Sequence, residues 1–220
     1  MPKAKVHHRP TLSLTLDRSV CEQCNNEFLA GLERAIQPLL EPMMLRHEST
    51  TLELSDQGLL ATWAVKTVYL LELAFRQHYP RARPIPGYVA SDVELAWLRE
   101  RREPPPRARV WLGCFDAMKT TAVMYEPSEA PVPVVPRGEP VIGHLTSFSL
   151  GYVALQVFSI DFVRADSAGA VQFQPPDPPP RLRGAVLPLW PTRLRRLPWP
   201  PPAFPHDDWN MFVTWGGSLR

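Results

Sequence analysis

The chain has 220 residues, enough for one domain or for one domain with a small appendage. A hydrophobic fraction of 45% and seven tryptophans can supply a sizeable core, which excludes a wholly disordered chain. The formal net charge of +2 is too small to indicate a nucleic-acid partner by itself.

Cysteine and proline content narrow the class further. Three cysteines, an odd number, argue against a disulfide framework and favour a reducing compartment. No run approaches the ~18 apolar residues that a membrane-spanning helix needs, so we expect a cytoplasmic protein without a membrane partner. The 27 prolines cluster in the second half, which predicts loops and short edge strands there.

The first predicted elements are a strand and a cysteine turn. Residues 11–16 alternate leucine with polar residues, which predicts a half-buried strand leading into Cys21 and Cys24. A C-x-x-C turn places two thiolates where they can share a tetrahedral metal or form a disulfide, but a structural zinc normally takes four protein ligands. His7 and His8 are candidates for the missing ligands, and the alternative is a solvated tail.

Two amphipathic patterns flank the centre of the helical part. Apolar residues at helical spacing predict a first helix from Asn25 or Asn26 to Gln37, which Pro38 ends or kinks. Ser91 and Glu94 have the spacing of a capping box, which predicts a helix from Asp92 to about Arg102.

The strongest helical pattern lies between them, from Gln57 to Arg76. It is apolar over most of its circumference, which is typical of a core helix. Lys66 is the exception. We interpret its side chain as a stem that lies along the core with the amine reaching out to solvent.

After a triple proline the pattern changes from helices to strands. We predict that residues 109–115 pair with residues 121–125, and that residues 141–162 form two strands with a bend at Gly151. Residues 185–190 are predicted as a last edge strand. Short connections between neighbouring strands indicate an antiparallel sheet.

Five arginines are candidates for nucleic-acid binding because they follow the mixed-sign end of the third helix or stand beside Trp199: Arg107, Arg109, Arg193, Arg195 and Arg196. Basic residues interleaved with an aromatic ring are the pattern that nucleic-acid surfaces use. The alternative is that cations near a helix C-terminus complement the helix dipole without any ligand.

The string V-C-E-Q-C-N-N-E-F-L-A-G-L-E, followed by L-S-D-Q-G-L-L-A-T-W-A-V-K-T, resembles a group of bacterial proteins described as HNH-endonuclease-like. The resemblance covers roughly Thr11 to Phe75. It implies that the knuckle closes a zinc site with a second, upstream C-x-x-C, and that an upstream Glu-His pair serves the nuclease centre. The residues before Cys21 hold neither motif. Either the chain starts late, or this copy has lost its catalytic half.

We therefore expect an α+β fold. It comprises an N-terminal strand and cysteine knuckle, a central buried helix with two flanking helices, and an antiparallel sheet with proline-rich loops. Residues 1–103 are expected to form the knuckle and helical part, and residues 104–220 the sheet. The two parts are expected to pack together as one domain.

The resemblance implies an HNH-endonuclease-like protein, truncated or degenerate, with a partial zinc knuckle and an association with DNA. Nuclease chemistry needs a general base and a metal at the scissile phosphate, and no residue of this chain is identified as that base. We expect no catalytic residue and no enzymatic activity in a chain with this sequence. An active form would be a metal-dependent nuclease. The alternative is a non-catalytic protein-interaction or structural domain with a vestigial knuckle, whose proline-rich second half contacts a protein partner.

Overall fold

The computed structural model describes residues 24–78, 90–116, 124–135, 140–173, 177–191 and 194–215. Helices and antiparallel sheets in these residues confirm the α+β prediction. The helices are α1 (Ala30–Arg46), α2 (Leu54–His78), α3 (Asp92–Arg101), α4 (Phe162–Ser167) and α5 (Trp209–Trp215). The strands are β1 (Thr50–Glu53), β2 (Arg109–Cys114), β3 (Met124–Val132), β4 (Val141–Leu150), β5 (Val153–Ser159), β6 (Val186–Trp190) and β7 (Arg196–Trp199).

The first helix is longer than predicted, because it passes through Pro38 and Pro42 and ends at Arg46. Each internal proline removes one backbone hydrogen bond and costs about 3 kcal/mol. Burial of an apolar stripe on α1 offsets this cost, since each large side chain contributes about 1.5–3 kcal/mol. The buried stripe consists of Leu32, Ile36, Leu40 and Met43. The prediction that the helix ends at Pro38 is therefore wrong.

Helix α2 is the core helix that the sequence predicts, with slightly wider bounds. Lys66 is only 4% exposed, and its Nζ forms an ion pair with Glu33 of α1 and lies 5.6 Å from the centre of the Trp63 ring. Trp63 Nε1 donates to the other oxygen of the same carboxylate at 2.9 Å. The amine does reach the edge of the core, but it is paired there rather than solvated.

Helix α3 begins as predicted. Ser91 Oγ accepts from the backbone N–H of Glu94, and the Glu94 carboxylate accepts from the backbone N–H of Ser91. The Glu94 side chain is buried and also accepts from the hydroxyl of Tyr69 on α2. The capping box therefore fastens α3 to α2 as well as starting it.

Five strands form the main sheet in the order β3-β4-β5-β2-β6, and every neighbouring pair is antiparallel. Strands β4 and β5 meet at Gly151, as predicted. The predicted pairing of residues 109–115 with 121–125 is wrong, because β2 pairs with β5 and β6 while β3 pairs with β4. Nearness in sequence favoured the wrong pair; burial of β2 on both faces favours a central position.

Both faces of this sheet are covered, since alternate residues of a strand point to opposite sides. One face packs with α1 and α2 and includes Val110, Leu112, Phe148, Leu155 and Val157. The other face includes Trp111, Leu145, Ala154 and Phe158, and it packs with Phe212 of α5 and the segment before that helix.

A second, two-stranded sheet joins β1 to β7 across the chain. Residues 185–190 form an edge strand as predicted, but β7 follows it, so the strand is not the last one. Leu52 and Trp199 are buried in the same core cluster as α2. This sheet was missed because four-residue strands have too few positions to show an alternation.

The C-terminal helix α5 docks on the sheet through Trp209, Phe212 and Trp215, as the sequence predicts. Its last carbonyl groups lack partners within the helix. Gln156 of β5 is the partner of two of these carbonyl groups, since its Nε2 donates to the carbonyl of Phe212 at 2.8 Å and to that of Val213 at 3.3 Å. A short turn, His206–Asp208, precedes α5 and has Pro205 at its cap position.

The turn between β4 and β5 touches the C-terminal end of α1. Gly151 has a φ of +55°, and a Cβ at this position would lie 2.1 Å from the carbonyl oxygen of Met44. The next residue, Tyr152, donates its N–H to that same oxygen at 3.1 Å. Only glycine combines the left-handed backbone with this close approach.

We expect Gly151→Ala to lower the free energy of unfolding by about 2–4 kcal/mol, because it adds a backbone clash to a left-handed conformation. Gly184→Ala is the matched control. Gly184 has a φ of +79° but open space where its Cβ would stand, so only the conformational cost of about 1 kcal/mol is expected. Urea unfolding measures both variants, and equal losses would contradict the predicted clash.

Candidate functional site

The described chain begins where the cysteine turn meets the first helix. Cys24 opens a π-helical turn, Cys24–Leu29, that continues directly into α1. The predicted metal ligands Cys21, His7 and His8 and the predicted strand at 11–16 lie outside the described residues. A helix therefore follows the C-x-x-C sequence immediately, as the pattern predicts.

The start of this helix lies against the end of α3. The guanidinium carbon of Arg102 stands 4.9 Å from the centre of the Phe28 ring. The carbonyl of Arg102 accepts from Thr62 Oγ1 at 3.2 Å, which ties the same residue to α2. Phe28 is buried, whereas Arg102 is exposed. This contact brings the residues that follow Cys24 next to the arginine-bearing segment 99–109.

Two of the arginines predicted to bind nucleic acid, Arg107 and Arg109, lie at one end of the main sheet. Arg109 pairs with Phe158 and Val110 with Trp190, so β2 begins where β5 and β6 end. We call this the arginine end of the sheet. Arg107 precedes β2 there, and the chain leaves β6 there towards Arg195.

Three of the five arginines are occupied by contacts within the chain. Arg107 is only 14% exposed; its Nε donates to Asp166 at 2.6 Å and one terminal nitrogen donates to the carbonyl of Val171 at 3.0 Å. Arg109 donates to the side chain of Gln172. Arg196 donates to Glu53, its cross-strand neighbour, at 2.7 Å. These contacts fasten loops to the sheet, so they account for the three residues without a ligand.

The other two arginines predicted to bind nucleic acid are Arg193 and Arg195. Arg193 lies outside the described residues. Arg195 is exposed. Arg99, Arg101 and Arg102 belong to the mixed-sign end of the third helix, which the sequence accounts for by the helix dipole, and the structure places them on the exposed end of α3. Arg101 lies 5.4 Å from the centre of the Trp97 ring, so a cation and an aromatic ring do stand together at this end.

A structural zinc site needs four cysteine, histidine or carboxylate ligands close together. Within the described residues, no group of three or more His, Cys, Asp and Glu side chains is placed to hold a metal ion. The nearest soft donors outside the knuckle are His47 and Cys114, beyond the far end of α1. The continuous helix from Cys24 to Arg46 spans about 30 Å, so these two cannot join Cys24 at one metal.

His47 and Cys114 form a contact of their own at the opposite end of the sheet. His47 Nε2 lies 3.1 Å from Cys114 Sγ, and the imidazole stacks on Tyr152 with ring centres 4.6 Å apart. His47 follows α1 with a left-handed backbone and donates its N–H to the carbonyl of Pro42. The pair therefore joins the C-terminal end of α1 to β2 and to the turn at Gly151.

This cysteine–histidine pair lacks the properties of a nucleophile. Burial, together with the neighbouring charge of Asp116, raises the pKa of the Cys114 thiol to about 11. A reactive cysteine needs a lowered pKa and access to solvent, whereas Cys114 is fully buried. Cys114 is the small buried hydrophobic residue that its place in β2 predicts.

Comparison of the chain with protein-family models, with curated proteins and with solved structures found no match. In the part of the chain that the structure describes, no helix is both long and apolar enough to cross a membrane.

Sequence reasoning found the cysteine turn and the arginine-rich segment but not the contact of Phe28 with Arg102. The Phe28–Arg102 and His47–Cys114 pairs each join positions far apart in the sequence, and a single sequence carries no signal for such pairs. One local signal was available for Arg102. It stands after a capped helix and before a triple proline, a place where the helix ends and a left-handed residue is common.

The raised pKa of Cys114 predicts a loss of stability in alkali. The unfolded thiol ionises near pH 8.5, whereas the folded thiol holds its proton to about pH 11, so the unfolded state binds fewer protons between these values. We expect this group to remove up to roughly 3 kcal/mol of stability as the pH rises through that window.

The variant Cys114→Ala isolates this effect. It should cost about 1 kcal/mol at pH 7 through the lost packing, and the difference from the native chain should shrink and reverse by pH 11. Urea unfolding of both proteins at intervals from pH 7 to 11 is the measurement. Two parallel stability curves would contradict the assignment.

Proposed function

We propose that this chain is a degenerate HNH-endonuclease-like protein that binds nucleic acid next to a zinc knuckle and does not cleave it. The supporting observation is the contact between Arg102 and Phe28. It brings the helix that starts at Cys24 against the exposed arginines at the end of α3. A metal-stabilised turn beside a basic surface is an arrangement suited to gripping a phosphate backbone.

The first part of the proposal is a zinc knuckle that includes Cys21 and Cys24. The described residues do not complete a zinc site, so His7 and His8 are the proposed further ligands. Thiolate and imidazole together are a donor set that zinc prefers. No catalytic step is assigned to the metal, whose proposed role is to hold the turn.

The second part of the proposal is a nucleic-acid surface made of exposed arginines. Arg99, Arg101 and Arg102 lie on one short stretch of α3 and its cap, and all three are exposed. Arg195 is exposed beyond the end of β6. Contacts of this kind with phosphates are independent of base sequence and weaken with salt.

Elemental analysis of the purified chain tests the knuckle. We expect about one zinc per chain, lost in the double variant Cys21→Ser, Cys24→Ser, because neither serine can supply a thiolate. Cys114→Ser is the control, since that thiol is buried far from Cys24, and it should keep its zinc. If native protein that has been refolded in the presence of zinc still contains no zinc, the proposed knuckle is refuted.

Fluorescence anisotropy with labelled duplex and single-stranded DNA tests the basic surface. We expect binding that weakens with salt, and the double variant Arg99→Ala, Arg101→Ala should lower the slope of log K against log salt by about two. Arg46→Ala, which removes an exposed cation from the far end of α1, should leave the slope unchanged. Cleavage in the presence of Mg²⁺ or Mn²⁺ would contradict the non-catalytic part.

A second candidate function, a protein-interaction domain, has one observation in its favour. Val93 of α3 and Val163 of α4 are 50% and 46% exposed, and between them Trp97 meets Phe162 with ring centres 5.8 Å apart. Clustered apolar surface of this kind marks interaction sites. The proline-rich segment 172–183 stays a predicted partner contact; of its described residues, Phe173 and Leu182 are buried.

One comparison of variants distinguishes the two candidate functions. A protein-interaction function requires that Val163→Glu abolishes binding to a defined protein partner, while Leu45→Glu, a change at a 60% exposed position on α1, does not. Loss of DNA binding in Arg99→Ala, Arg101→Ala with Val163→Glu unaffected would favour the nucleic-acid function.

A further inference from the structure

One side of α3 carries an apolar residue, an aromatic ring and a cation in a row. Val93, Trp97 and Arg101 are spaced four residues apart, so they form one stripe along the helix. Val93 is 50% exposed, Trp97 is half-buried and Arg101 is exposed. Glu94 and Leu98, one position further along, are buried. The helix therefore turns its inner side to the core and this stripe to solvent.

The indole of Trp97 has a cation and a second ring as neighbours. The guanidinium carbon of Arg101 lies over the indole, 5.4 Å from the centre of the ring. Phe162, the first residue of α4, meets the indole edge-on, with ring centres 5.8 Å apart and an angle of 69° between the planes. Aromatic rings and guanidinium groups are the two kinds of surface on which proteins stack unpaired bases.

The fold keeps an indole at this position at a cost. Trp97 Nε1 is shut off from solvent and has no hydrogen-bond partner within the described ranges. A buried donor without an acceptor is unfavourable, and a phenyl ring in the same place would carry no such donor. A binding role for the broad face of the indole accounts for a tryptophan here, whereas packing alone is served as well by phenylalanine.

The net charge of this region limits the electrostatic part of binding. Residues 99–103 hold three arginines and two glutamates, a net charge of +1, and Arg99 donates to Glu100 at 3.1 Å. Duplex DNA is held mainly through its phosphates, which takes several cations at once. Unpaired bases add stacking, which does not require a large net charge. The stripe therefore suits a single strand better than a duplex.

We propose that the stripe of Val93, Trp97 and Arg101 binds single-stranded nucleic acid, with an unpaired base stacked at the indole of Trp97 and a phosphate at Arg101. The inference rests on the proposed nucleic-acid function and names the form of nucleic acid that the surface takes. The faces of the bases in a duplex are covered by their neighbours, so a duplex can use the cation but not the ring. The apolar side chain of Val93 extends the surface by one helical turn.

Fluorescence anisotropy with three labelled ligands tests the stacking: oligothymidine, an abasic strand of the same length and a duplex of the same length. We expect the native chain to bind oligothymidine roughly five- to 100-fold more tightly than the abasic strand, because only the former can stack. Trp97→Leu should abolish this preference, and Trp97→Phe, which keeps a ring, should retain most of it. Urea unfolding checks that both variants are folded.

Val93→Glu and Leu95→Glu are a matched pair that leaves the indole in place. Both put a carboxylate on α3 at an exposed apolar position, 50% and 41% exposed, but Leu95 lies two residues away from the stripe and so on the other side of the helix. Val93→Glu should lower the preference for oligothymidine over the abasic strand. Leu95→Glu should leave this ratio unchanged, since it alters only the overall charge.

The outcomes distinguish this proposal from the function on which it rests. If the native chain binds all three ligands equally, or if folded Trp97→Leu keeps the preference, the stacking role is overturned while the nucleic-acid function stands. If none of the three ligands binds, both are overturned, and a protein partner lost in Val93→Glu would assign the stripe to protein interaction. The assay is run without zinc, so failure of the zinc knuckle does not affect it.

Discussion

The burial of α2 against the five-stranded sheet is the constraint from which the other contacts follow. One face of the sheet needs a cover of apolar side chains, and α2 supplies it with Trp63 against Phe148, ring centres 6.2 Å apart. Lys66 of α2 is buried beside Trp63, and a lone charge there would be costly. Glu33 of α1 neutralises it and binds Trp63 as well. The core helix thus determines where α1 lies.

Glu33 holds helix α1 near its start, and the two ends of the helix lie at separate places in the fold. The end near Cys24 meets Arg102, and the other end meets Gly151 and the His47–Cys114 pair. The rigid length of α1 keeps these regions about 30 Å apart. Chemistry at the thiol pair therefore cannot draw on His47 or Cys114, and the buried pair acts as a structural fastening.

The elements with strong local signals could be predicted, and their partners could not. The capping box at Ser91, the apolar circumference of α2 and the bend at Gly151 each follow from residues close in sequence. Helix α1 continues past Pro38 because its buried stripe outweighs the lost hydrogen bonds, and that balance depends on α2. The arginines show the same limit, since composition cannot tell Arg107, held by Asp166, from Arg101, which stays exposed.

The backbone itself indicates which of these contacts the fold maintains at a cost. His47, Arg102 and Arg107 have left-handed backbones without being glycine, and each places its side chain on another element. Glycine at these positions would relieve about 1 kcal/mol of strain but would remove the contact. Two of the three flank the triple proline that enters β2, and Pro104 and Pro105 are buried there. A stiff, strained turn that carries two arginines is costly for a loop whose only task is to connect α3 with β2. It is suited to holding Arg102 beside the helix that begins at Cys24 and Arg107 beside Asp166 of α4.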